Sequence, residues 1–200
     1  MSLLVDLVDN SVTDLNTTHS YLETYENLFS SIRDASLNIL QIGVLHGGAM
    51  QLWDKYFSNA TIYGVDTQPL DIYRASFFNQ DNIKIYNGQP YDPSFVDINF
   101  ITKNITFDII FDDLSPRCYD TQSAALKLYR PLLNANGMLI IEDIEGMSIV
   151  DRLDADLPQE LLVNRSFYDL RNVKGRYDDV LYVYTNTPAP APSPAPAPGP

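Results

Sequence analysis

Cysteine is almost missing from this chain. Cys118 stands alone among 200 residues, so no disulfide can close within it. Positive charge is also scarce: 13 Lys and Arg face 26 Asp and Glu, a formal net charge of −13. Nucleic-acid-binding domains carry a basic footprint. No basic stripe occurs here, so no nucleic-acid partner is expected and a polyanionic substrate is disfavoured. Long apolar runs are lacking too. No segment approaches the ~18 apolar residues of a membrane span, and the start MSLLVDLVDNS has no basic signal-peptide region. Without a secretion signal, the N-x-S/T patterns at Asn16, Asn59, Asn104 and Asn164 read as chance. These absences predict a soluble, cytoplasmic domain that does not insert into membranes.

What is present is unevenly spread. Residues 187–200, TPAPAPSPAPAPGP, hold seven of the thirteen prolines and no charged or large apolar side chain. That composition predicts an extended polyproline-II-like linker. The expected division is a folded domain over 1–186 and a tail over 187–200, with the tail suggesting a tether to something larger.

Within the domain, strand-like and helix-like periods alternate. Helices are expected over 19–33, 49–57, 71–78, 93–102 and 121–129. Strands are expected over 38–42, 61–65, 83–86, 107–111 and 137–141. Two closing strands, 161–170 and 179–184, flank the polar turn NVKGR. This alternation predicts an α/β fold: a mostly parallel, seven-stranded sheet with helices on both faces and a C-terminal antiparallel hairpin. Ligands of such sheets bind beyond the carboxyl ends of the strands, where strand order reverses.

After the first strand comes QIGVLHGG. A dinucleotide fingerprint G-x-G-x-x-G beginning at Gly43 would need glycine where Leu45 stands. The remaining pattern, Gln41, Gly43 and Gly47, resembles the first motif of class I S-adenosylmethionine (SAM) methyltransferases, with Gln41 where an acid is usual. A tight turn would use the same glycines. After the second strand, Asp66 stands where a carboxylate binds ribose hydroxyls, or caps a turn. After the third, Gln89 could bond an adenine edge, or sit in a polar turn.

The ends of the fourth and fifth strands are the most acidic places. FDIIFDD and GMLIIED bring Asp112, Asp113, Glu142 and Asp143 to one sheet edge. Converging carboxylates repel unless a cation or proton joins them. Hard oxygen ligands suit Mg²⁺, or else Mn²⁺ or Ca²⁺; capping aspartates are the structural alternative.

Taken together, HSYLETYENLF, ILQIGVLHGGAMQLWDKYFSNATIYGVD, FDIIFDDLSPRCYDTQSAALKLYRPLL and GMLIIEDI resemble the metal-dependent sugar O-methyltransferases of macrolide and aminocoumarin biosynthesis. The likeness covers roughly 13–184. The Pro-Ala tail adds a resemblance to chlorovirus glycan-building proteins that O-methylate rhamnose. The resemblance implies a Rossmann-like SAM-binding fold, methylation of a sugar or glycan hydroxyl, and tethering to glycosyltransferase domains. It implies metal ligation by Asp113, Glu142 and Asp143, and puts His19 in the helix that helps cover the cofactor.

One departure stands out. Relatives read DDGSH, with the histidine as general base; this chain reads DDLSP, and Pro116 cannot take a proton. Asp112, Asp120, His19 and His46 are the alternative bases, with Asp113 at the reacting centre and Asp112 also near the cofactor. A catechol-type methyltransferase and a non-catalytic SAM- or nucleotide-binding module are the competing expectations.

Overall fold

The computed structural model describes residues 2–68, 76–114 and 117–187. Seven strands form one sheet: β1 Ser36–Ile42, β2 Asn59–Asp66, β3 Ile83–Asn87, β4 Phe107–Asp112, β5 Leu133–Ile141, β6 Arg165–Asp169 and β7 Val180–Thr185. Their spatial order is β3-β2-β1-β4-β5-β7-β6. The first five run parallel, and β7 pairs antiparallel with both β5 and β6. Strand order reverses between β1 and β4, which lie side by side.

The central strands are apolar on both faces because both faces are covered. Ile39, Phe111, Ile140, Leu181 and Val183 enter one core with Tyr25, Phe29 and Trp53. Their neighbours Leu40, Ile110, Leu139, Ile141 and Tyr182 enter the other, with Phe100, Leu126 and Leu153. On the first face lie α1 Leu4–Leu7, α2 Leu22–Phe29 and α3 Gly48–Tyr56. On the second lie α4 Pro93–Val96, α5 Tyr119–Tyr129 and α6 Met147–Asp156. Local chemistry starts α4: Asp92 Oδ1 accepts from the Ser94 amide at 2.9 Å, and Pro93 opens the helix.

Several elements differ from the sequence expectation. The 93–102 helix is α only to Val96 and widens to a π turn over Asp97–Ile101. Residues 161–170 are not one strand: a 3₁₀ segment, Gln159–Asn164, precedes β6. The NVKGR turn is largely helical: the one-turn helix α7, Arg171–Lys174, runs into it and is ended by the left-handed Gly175. Helix α6 was unexpected although Val150, Leu153 and Leu157 are buried at helical spacing. Most of the 71–78 helix falls outside the described residues, and Ser76–Asn79 is 3₁₀. Pro116 and the tail beyond Thr187 also lie outside them. No described helix is long and apolar enough to cross a membrane.

Candidate active site

A cavity of about 530 Å³ opens at the carboxyl ends of β1, β2 and β4, a volume typical of small-molecule sites. Gly43, Val44, Leu45 and His46 form one wall. Gly43 sits at φ 91°, and a Cβ there would clash with the Asp113 carbonyl oxygen. The turn is therefore pressed against the end of β4, and the residue type follows from it. Leu45, where the dinucleotide fingerprint fails, is left-handed at φ 48° and 65 % exposed. That backbone costs a side-chain-bearing residue on the order of 1 kcal/mol, and it turns the loop amides inward. Asp66 Oδ2 accepts from the Val44 and Leu45 amides at 2.8 and 2.9 Å. Its Oδ1 accepts from the Gln68 amide at 2.9 Å. A carboxylate has about four acceptor sites, so Asp66 fastens the loop and keeps one site for a ligand.

Three carboxylates meet beside this cavity. The Asp113 amide donates to Ile42 O at 2.9 Å and the Glu142 amide to Asp112 O at 3.0 Å. These bonds extend the sheet one residue past its strands and hold the acids level. Ligand oxygens of Asp113, Glu142 and Asp143 all lie within 4.8 Å of one another. Glu142 and Asp143 are buried, and Asp113 is half-buried and lines the cavity. Asp143 is left-handed, at φ 55°.

Tyr21, which caps α2, Tyr25 within it and one arginine surround the acids. Tyr21 donates to Asp143 Oδ1 and Tyr25 to Glu142 Oε1, each at 2.6 Å. Burial first, and then the neighbouring carboxylates, push both phenols far above their usual range, so they remain donors. Arg117 donates to Asp113 Oδ1 at 2.8 Å, and its Nε lies 2.6 Å from Asp143 Oδ2.

Electrostatics mark the triad as short of positive charge. Burial, then the charge of Asp143, raises Asp113 to about 7 despite Arg117. Burial, then Asp113 and Asp143, raises Glu142 well above the carboxylate range. Burial also raises Asp143, against the pull of His19. Asp143 Oδ2 is buried without a hydrogen bond. Three hard, clustered oxygen ligands with that deficit fit a divalent cation.

The other candidate residues are placed differently. Gln41 does not line the cavity: its amide oxygen accepts from Trp53 Nε1 at 3.0 Å, in the core under α3. Gln89 is exposed outside the lining. Gly47, left-handed at φ 80°, caps α3 and also lies off the lining. Asp112 points to the opposite side from Asp113, is buried, and accepts from the Tyr91 hydroxyl at 2.7 Å. Burial, partly offset by that bond, raises its pKa to about 8. Asp120 is exposed in the first turn of α5, away from the lining. Of the three expected catalytic acids, Asp113 alone lines the cavity. His19 stands with the acids instead of with the glycine loop, its Nδ1 2.9 Å from Asp179 Oδ1 and 3.4 Å from Asp143 Oδ1. His46 lines the cavity and is exposed.

Three features escaped the sequence reading. The cavity's second wall is the segment from Asn10 to Asp14, which has no periodicity to announce it. Its passage is close: a Cβ on Gly48 would collide with the Val12 carbonyl. Asp178 and Asp179, just before β7, are a third buried acidic pair, and the charge of Asp178 adds to the field at Asp143. Arg117 was readable as a lone cation four residues after Asp113, the spacing of an ion pair.

Comparison with known proteins agrees with this fold. No protein-family model matches the chain. Two curated proteins of Streptomyces olivaceus are similar to it. A rhamnosyl tetracenomycin-C 2'-O-methyltransferase is 28% identical over 135 residues, 64% of this chain and 34% of that protein. A 3'-O-methyltransferase acting on the 2-methoxy-rhamnosyl compound is 27% identical over 133 residues, 63% of this chain and 32% of that protein. Among solved structures, the mycinamycin-pathway methyltransferase MycE, in complex with Mg and S-adenosylhomocysteine, superposes with a TM-score of 0.69. That match has 21% identity and covers 96% of this chain and 57% of MycE. The fold is that of the Rossmann-like methyltransferases. The chain spans about a third of the length of its curated relatives. Other methyltransferases of the same fold include a putative rRNA methylase from Clostridium thermocellum, at 12% identity and TM-score 0.62. The fold therefore does not choose the acceptor.

Proposed function

We propose that this protein is a SAM-dependent O-methyltransferase acting on a sugar hydroxyl, such as that of a rhamnosyl or related deoxysugar group, with a divalent metal at Asp113, Glu142 and Asp143. The observation that carries the reading is Asp113, which belongs both to the cavity wall and to the acid triad. A cofactor in the cavity and a metal in the triad would flank one reacting hydroxyl.

The residues divide the work. SAM carries a net positive charge, and Asp14, Asp66 and Asp113 make the cavity negative. That field suits a sulfonium and disfavours a dinucleotide's pyrophosphate or an RNA backbone. Asp66 offers its remaining acceptor site to a ribose hydroxyl while holding the loop amides in place. Asp113 faces the acceptor at the cavity's edge, and Tyr21 and Tyr25 hold the buried Asp143 and Glu142 in their rotamers behind it. A divalent ion at the triad would supply Lewis-acid activation of the hydroxyl. Because the methyl donor is already electrophilic, alignment and charge stabilisation carry the catalysis. The names of the rhamnose-modifying relatives support the sugar acceptor.

The test incubates the protein with methyl-labelled SAM and a panel of rhamnosides, other glycosides and catechols, with Mg²⁺ or with EDTA. Label is expected on a glycoside hydroxyl, and only with metal. Label on a catechol alone would replace the sugar reading. SAM binding without turnover on any acceptor would favour a non-catalytic module.

A further inference from the structure

We infer that Arg117 is a built-in counter-ion of the acid triad, which a divalent metal must displace from Asp143 in order to bind. The inference rests on the metal reading above. Arg117 stands just before α5 and its guanidinium reaches back to two of the three acids, donating to Asp113 and lying against Asp143. Both Asp143 oxygens are thereby engaged, Oδ1 by Tyr21 and Oδ2 by Arg117. A dication on Asp143 would meet the guanidinium at the same carboxylate, and two cations so close repel strongly in a partly buried site.

Geometry also says which cation gives way. Arg117 Nε and Asp143 Oδ2 are 2.6 Å apart, yet both are buried and neither completes a hydrogen bond. The contact is close but misdirected, so the guanidinium neutralises charge without the aligned bonding that makes arginine–carboxylate pairs strong. A metal ion has no such directional demand on the oxygen. Arg117 also has somewhere to go. Its side chain is 35 % exposed and lines the cavity, where it is the single Lys or Arg among the described lining residues. Tyr21 and Tyr25, in contrast, are fully buried at the start of α2 and within it, and approach oxygens that need not move. In the metal-free protein Arg117 therefore keeps the acids together, and metal binding turns it into the cavity.

The experiment measures metal binding directly, with free Mn²⁺ followed by electron paramagnetic resonance. Arg117→Gln should bind Mn²⁺ at least about tenfold more tightly than the unaltered protein, and Mg²⁺ should compete in both. A second measurement is the melting temperature. In EDTA the variant should melt below the unaltered protein, and saturating Mg²⁺ should remove the difference. If Arg117→Gln does not fold, Arg117→Lys serves, because an ammonium cannot span Asp113 and Asp143; it should bind Mn²⁺ several-fold more tightly than arginine allows. Equal or weaker Mn²⁺ binding by the folded variants overturns the inference and leaves the metal site standing. No Mn²⁺ binding by any form overturns the metal reading and the inference with it.

Discussion

The Tyr21 hydroxyl donates to Asp143 Oδ1 across 2.6 Å and accepts from the Asp143 amide at 3.3 Å, closing a small ring between α2 and the end of β5. This double contact holds a left-handed aspartate in place. A hydrogen bond to a charged group contributes about 1.5–3 kcal/mol, and partners that orient metal ligands typically change metal affinity about 10–100-fold. Tyr21→Phe should therefore weaken Mg²⁺ binding by roughly 10-fold or more, with SAM affinity little changed. Calorimetric titration with each ligand separates the two effects. Equal losses of both would mean that Tyr21 supports the whole domain instead of the acid site.

Asp66 makes a different prediction, because it is an anchor for the loop as well as a candidate ligand. Asp66→Ala would leave the Val44, Leu45 and Gln68 amides without their acceptor. Losing a charged acceptor costs about 1–3 kcal/mol, so both SAM affinity and melting temperature should fall. Asp66→Asn keeps one oxygen and should retain more of the thermal stability than of the SAM affinity. Unchanged SAM binding in both variants would remove Asp66 from the cofactor site.

The sheet was legible because its central strands are short apolar runs that end in glycine or acid. Asp113, Glu142 and Asp143 could be paired from sequence for the same reason: parallel neighbours of similar length finish at one edge. What stayed hidden depends on contacts between distant segments. Gln41 fits a cofactor motif by spacing, yet its partner Trp53 arrives only when α3 packs on β1. The wall from Asn10 to Asp14 has no period, and its place is set by its crossing over Gly48. Asp112 and Asp113 look equivalent in the sequence, but strand alternation sends one to Tyr91 and the other to the cavity.

The buried Asp112 carries a stability signature. Burial pushes its carboxyl up to about 8 in the folded protein, against about 4 for an ordinary aspartate. Between those values the folded state holds a proton that the unfolded state has lost. Stability therefore falls as pH rises from about 4 towards 8, and levels off above that. Asp113, raised to about 7, adds to the same slope when no metal is present. In EDTA the melting temperature should drop across pH 5–8, and Asp112→Asn should flatten part of that drop. A melting temperature that climbs through this range would contradict the assigned burial of Asp112.

Metal and proton compete for the same triad, which gives the last prediction its form. Burial and the neighbouring acids push Asp113 up to about 7 and Glu142 well above the carboxylate range, so a bound metal must release protons that these two retain near neutrality in the metal-free site. Mg²⁺ affinity should therefore strengthen as pH rises from 6 to 8, and Mg²⁺ should raise the melting temperature more at pH 8 than at pH 6. Asp143→Asn removes one charged ligand at nearly constant shape. It should abolish measurable Mg²⁺ binding and lower methyl transfer by at least about 100-fold, the scale of losing one well-placed electrostatic stabiliser. It should leave SAM binding within a few-fold, because Asp143 is not part of the cavity wall. Chelator treatment of the unaltered protein should mimic the variant, and added Mg²⁺ should rescue the former but not the latter. Full methyl transfer by Asp143→Asn, or by the unaltered protein in excess EDTA, would leave the acids a hydrogen-bonding role and remove the metal from the reaction.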